Sequence, residues 1–134
     1  MERLEIENEI DFLILGINCH KKAYRMCWEI NKKLQFNFIK KENHIHPENH
    51  QISFERFLHE DKKNNTTYNL ISNRSETGYL DSQNKSVNFY LIVEGGVYKR
   101  KKIIEKLNQI EDMLLVYQLD KNNIKSITPF LIND

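Results

Sequence analysis

The chain has 134 residues, a length that suits one domain and lets roughly two-thirds of the unfolded surface be buried around a single core. Its 20 lysines and arginines nearly balance 19 aspartates and glutamates, leaving a formal charge of +1. Bulk charge therefore does not mark it for nucleic acid, a membrane or an acidic substrate, and any such role needs a local patch. The surplus of Ile, Asn and Lys reads as AT-rich codon usage, so lysine abundance alone carries no functional meaning.

From Leu4 the pattern alternates, with Leu4, Ile6, Ile10, Phe12 and Ile14 on one face and Glu5, Glu7, Glu9 and Asp11 on the other. Beyond Asp11 the second face also turns apolar, which predicts a strand from about Ile10 to Ile17, buried on both sides. Gly16 and Asn18 loosen its end. Ala23, Met26, Cys27, Ile30 and Leu34 then recur at helical spacing and predict an amphipathic helix. Phe36 and Phe38 follow almost without a loop and suggest a short second strand. The polar stretch from His44 to His50, broken by Pro47, reads as a loop.

Two further strands are expected at 52–58 and 66–71, joined by the hairpin-like Glu-Asp-Lys-Lys-Asn-Asn. Turn-rich corners at Asn73–Gly78 and Asp81–Ser86 precede Val87-Asn-Phe-Tyr-Leu-Ile-Val93, a nearly continuous apolar run of the kind found in central strands. After Gly95-Gly96 a second helix is expected from about Tyr98 to Asp112, then a last strand from Met113 to Leu119. The tail at 121–134 holds an apolar cluster, Phe130-Leu131-Ile132, expected to dock on the body. The order β-α-β-β-β-β-α-β predicts a single α+β domain, a two-layer sandwich in which a mostly antiparallel sheet of about five to six strands carries two helices on one face. The strand order is left open.

Cys19 and Cys27 lack the spacing of a metal site or a disulfide framework, so reduced thiols in a cytosolic protein are expected. The acidic N-terminus is unlike a secretory signal, and no apolar run approaches the roughly 18 residues of a spanning helix.

Two blocks carry a family resemblance. Leu15-Gly-Ile-Asn-Cys-His20, Tyr24-Arg25, Cys27-Trp28 and Asn31-Lys-Lys-Leu34 resemble the opening of the IPExxxVDY family, small Bacteroidetes proteins of unestablished function. Asn73-Arg-Ser-Glu-Thr-Gly-Tyr-Leu80 and Val87-Asn-Phe-Tyr-Leu-Ile92 are similar to that family's signature corner and strand. The departures fall on the signature itself, with Leu80-Asp81-Ser82 in place of Ile-Pro-Glu and Val87-Asn88-Phe89 in place of Val-Asp-Tyr. The resemblance implies a bacterial, cytoplasmic, uncharacterised domain and lends no activity, cofactor or substrate. With a carboxylate and a phenol replaced, it also implies no catalysis by that strand.

Five groups of residues invite chemistry. Cys19-His20 sits where a helix N-terminus favours a thiolate, but no third residue orients the pair, and a packed thiol is the simpler expectation. Tyr24, Trp28 and Asn31 form a second helical stripe beside Arg25. Aromatics are usually buried, yet if exposed these would form a binding surface, since Trp, Tyr and Arg dominate interface hot spots. His44, His46 and His50, with His59 beyond, offer imidazoles without the rigid third or fourth ligand a metal site needs. Lys99-Arg100-Lys101-Lys102, beside Tyr98, is the best nucleic-acid candidate and opens a helix where cations oppose the macrodipole. Asn73 and Arg74 head a polar corner in which Gly78 is expected to supply a positive φ.

The expectation is a non-enzymatic binding or adaptor domain using Tyr24, Arg25 and Trp28 together with Asn73 and Arg74. The partner would be a protein or a second copy meeting a free sheet edge. RNA binding through Tyr98 to Lys102 is the alternative, and a thiol or acid-base enzyme the least favoured. No catalytic residue, metal, cofactor or membrane partner is assigned.

Overall fold

A computed structural model describes residues 12–96, 98–120 and 127–132. The elements are β1 (Phe12–Asn18), α1 (Ala23–Leu34), β2 (Ile39–Ile45), β3 (Ser53–Asp61), β4 (Thr66–Ser72), β5 (Phe89–Gly95), α2 (Arg100–Asn108) and β6 (Leu115–Gln118), then a 3-10 turn at Thr128–Phe130. The expected class and element order hold. All pairings are antiparallel in one six-stranded sheet ordered β2-β3-β4-β5-β1-β6. The expected alternation from Leu4 to Ile10 lies outside the described residues, as do 121–126 of the tail.

Period-two alternation divides the core in two. Leu13, Leu15 and Ile17 of β1, Tyr68 and Leu70 of β4, and Phe89, Leu91 and Val93 of β5 face the helices. There they meet Met26, Cys27 and Ile30 of α1 and Ile103 and Leu107 of α2, so both helices lie on one face. The opposite face presents Ile14, Ile71, Tyr90 and Ile92, and is covered by Leu80 and Val87 from the β4–β5 connection and by Phe130 from the tail. The tail thus docks as its apolar cluster predicts, with the Phe130 ring edge-on to Tyr90 at 4.9 Å between centroids.

Several boundaries move. Phe36 and Phe38 precede β2 rather than forming it, because Gln35 turns left-handed at φ 59° to end α1. Phe36 then stacks on His59 at 4.3 Å. His44 belongs to the edge strand and not to a loop, paired with Phe54 after an irregularity in the β2–β3 register. The second helix is shorter than expected, ending at Asn108.

Gly78 does not have the expected positive φ; among the described glycines that belongs to Gly95, at 88°. A Cβ on Gly78 would lie 3.0 Å from Ile52 Cδ1, a tight contact with the end of a half-buried side chain. At the β5–α2 turn the constraint is harder: a Cβ on Gly96 would lie 1.7 Å from the Asn64 carbonyl oxygen. The second helix therefore enters its place only because Gly95-Gly96 passes tightly against the β3–β4 hairpin.

Candidate functional site

α1 buries one stripe and leaves the next in water. Ala23, Met26, Cys27 and Ile30 satisfy the core, and the residues about 100° round the helix then face outward. Tyr24 is 68% exposed and Trp28 49%, so the burial usual for aromatics does not apply to this pair. Arg25 lies over the Trp28 ring with its guanidinium carbon 4.7 Å from the centroid, and the Lys32 ammonium approaches to 4.9 Å. Such contacts set a cation over a ring face and hold the ring in place, while about half of the Trp28 surface stays open to solvent. Glu29 steadies the base of the patch, 3.3 Å from Arg25 Nε and 3.9 Å from Lys21 Nζ. Lys32 was not singled out from the sequence, although its i+4 spacing from Trp28 is legible there.

Asn31, the third member of that stripe, is structural. Its Oδ1 accepts the Phe38 backbone N–H at 2.8 Å, tying the end of α1 to the chain entering β2.

The Asn73–Gly78 corner does not extend this surface as expected. Asn73 is wholly buried, its Nδ2 donating to the carbonyls of Asn84 and Val87 and its Oδ1 accepting the Asp81 N–H. Each of these bonds closes the β4–β5 connection, and none reaches outward. Arg74 is exposed and lies 5.7 Å from the Tyr79 ring. The connection is anchored on the sheet face opposite α1, so Arg74 and Trp28 belong to opposite sides of the sheet.

The residues at the departures from the family signature are also occupied. Asn88 Oδ1 accepts the Cys19 N–H at 2.8 Å, joining the end of β1 to the start of β5. Asp81 accepts from Asn84 Nδ2 and from the Tyr90 hydroxyl, and burial together with the neighbouring carboxylate pushes the Tyr90 phenol far above its usual range.

Cys19 is fully buried while His20 is exposed. Burial raises the Cys19 thiol, and burial pushes Cys27 up to about 11. Both shifts run opposite to the lowered pKa of reactive cysteines.

The histidines separate. His44 is buried, with Nε2 2.7 Å from the Pro129 carbonyl oxygen. His46 Nδ1 accepts the Glu48 N–H, and His59 Nδ1 accepts that of Asn37. Among the described residues no three His, Cys, Asp or Glu side chains gather so as to hold a metal ion. An open groove of about 1190 Å³ runs beside β2, lined by Lys41, His44, His46, Arg56, Glu60 and Leu131 among others. It mixes both charge signs.

At the opening of α2, Lys99, Arg100, Lys101 and Lys102 are all exposed. Arg100 Nη1 donates to Gln118 Oε1 at 3.0 Å. Tyr98 is half-buried against the helix-side core, so it does not offer a free ring face beside the cations.

Among the described residues no helix is long and apolar enough to cross a membrane. Comparison with protein-family models and with curated proteins finds no match.

Proposed function

We propose that this chain is a non-enzymatic binding or adaptor domain whose working surface is the outward flank of α1, built on Tyr24, Arg25 and Trp28. The observation that carries this is the exposure of both aromatics beside cations held at ring-contact distance. Large exposed aromatics next to arginine have the composition of binding hot spots. The buried, raised thiols weigh against the enzymatic alternative. A bacterial cytoplasmic setting accords with two free cysteines, and kinship with the IPExxxVDY family rests on the two sequence blocks alone.

The test uses the purified chain beside Trp28→Ala and Arg25→Ala as bait, with circular dichroism to establish that each variant folds. Loss of a partner in both variants supports this surface. Unchanged partners on intact folds remove it. Because Trp28 is the chain's single tryptophan, its emission also reports directly on occupancy of the patch.

A further inference from the structure

The cations of this chain are not spread evenly. α1 and the residues at its start carry Lys21, Lys22, Arg25, Lys32 and Lys33 against Glu29, and α2 with its cap carries Lys99, Arg100, Lys101, Lys102 and Lys106 against Glu105. With Glu111 and Asp112, which follow α2 and lie beside Lys32, Lys33 and Lys21, counted as well, that is an excess of six positive charges in a chain whose net charge is +1, so the remainder is net acidic. Since both helices cover the same sheet face, the surplus is concentrated on one layer.

Stability does not account for this placement. Neither helix has an acidic residue in its first turn or a side-chain cap, and each begins instead on lysine, at Lys22 and Lys99. Cations at a helix start oppose the macrodipole, and the missing caps forgo about 1 kcal/mol each. Lys21 is the exception to the outward trend, held 3.7 Å from Asp112 and 3.9 Å from Glu29 with its side chain only 15% exposed. Lys22, Lys32, Lys99, Lys101 and Lys102 remain exposed to solvent.

We propose that the helical layer binds single-stranded nucleic acid, with Trp28 and Tyr24 stacking on bases and the lysines at the starts of both helices and Lys32 tracking the phosphates. This deepens the binding-domain reading above by assigning its partner. A strand with unpaired bases needs both a positive track and aromatic faces, and every base offers a face to stack on. The aromatic half comes from α1, not from Tyr98, whose ring packs on the core. An anionic membrane is the poorer match, because a helix lying on lipid turns its apolar stripe outward. Here that stripe, Ala23, Met26, Cys27 and Ile30, is buried in the protein.

The probe is a fluorescein-labelled oligouridylate of about 12 nucleotides, within the span that such surfaces engage, titrated with the full chain and read by anisotropy. Binding at about 50 mM salt is expected to weaken by roughly 100-fold at about 200 mM, as release of counterions from about five phosphates requires. Trp28→Ala should weaken it by about 5- to 150-fold while leaving the salt slope unchanged. Trp28→Phe should recover much of the loss. Lys101→Ser with Lys102→Ser should instead flatten the slope by about 1.4. Oligouridylate should also quench Trp28 emission.

The proposal is overturned by an absence of binding at low salt. It is equally overturned by salt-dependent binding that Trp28→Ala leaves untouched, since that is charge attraction alone. Binding to phosphatidylglycerol vesicles with a blue shift of Trp28 and none to the oligonucleotide would assign the layer to membrane instead. Should the oligonucleotide not bind while Trp28→Ala still strips a protein partner, the binding-domain reading stands and the nucleic-acid assignment falls. All substituted residues are exposed, and circular dichroism checks each fold.

Discussion

His44 Nε2 lies 2.7 Å from the carbonyl oxygen of Pro129, so an imidazole on the edge strand fastens the C-terminal segment to the sheet. Burial lowers the His44 pKa from its ordinary 6.5, Arg56 and His46 push it down further, and the bond to Pro129 only partly offsets them. His59, stacked on Phe36, is also lowered by burial.

A histidine whose folded pKa is depressed gives its full stabilisation above the unfolded value, and that is lost as the pH falls toward the folded one. The urea midpoint is therefore expected to drop as the pH is taken from about 7.5 to about 5, the window that brackets the histidine reference value. His44→Gln should shrink the drop. An equal pH dependence in that variant would show that His44 contributes nothing to it.

Asn73→Ala is expected to cost about 3 kcal/mol, because it leaves the buried Val87 carbonyl and the Asp81 N–H without their side-chain partner and takes from the Asn84 carbonyl one of its two bonds, the Val87 N–H remaining. Equilibrium urea unfolding measures it, and a change below about 1 kcal/mol, a typical single hydrogen bond, would mean that water replaces the side chain. Arg74→Ala, exposed one residue on, should change stability by no more than about 0.5 kcal/mol.

Gly96→Ala should destabilise by at least about 2 kcal/mol, because its Cβ would overlap the Asn64 carbonyl oxygen and the backbone must shift. Thermal unfolding beside wild type checks this. A neutral effect would show that the β5–α2 turn and the β3–β4 hairpin separate freely.

Both thiols should resist Ellman's reagent at neutral pH in the native chain and react at once in urea. Cys27, pushed up to about 11, and Cys19, raised by burial, are protonated as well as enclosed. Fast labelling of one thiol on the folded protein would restore the thiol-enzyme alternative.

Much of this was legible in advance. The apolar runs of β1 and β5, the Ala23–Leu34 stripe and the polar connection at 60–65 are local patterns, and the corresponding elements formed there with shifted ends. His44 reads as loop in the sequence because Pro47 and its polar neighbours have loop composition, whereas an edge strand tolerates such residues by facing water on one side. Gly78 was assigned a positive φ because glycine has two uses, conformational freedom and lack of bulk. In the fold the positive φ falls on Gly95 instead, and Gly78 lies close to the Ile52 side chain.

By itself the sequence determined the class, the element order and the inward stripe of α1, since periodicity is a property of neighbours along the chain. Whether Asn73 and Trp28 face inward or outward was decided by the tertiary structure. Asn73 disappeared beneath a connection whose carbonyls it satisfies, and Trp28 stayed outside because the sheet fills only one side of α1. Exposure depends on which surfaces remain uncovered once every distant segment has packed, and that sum has no local signature.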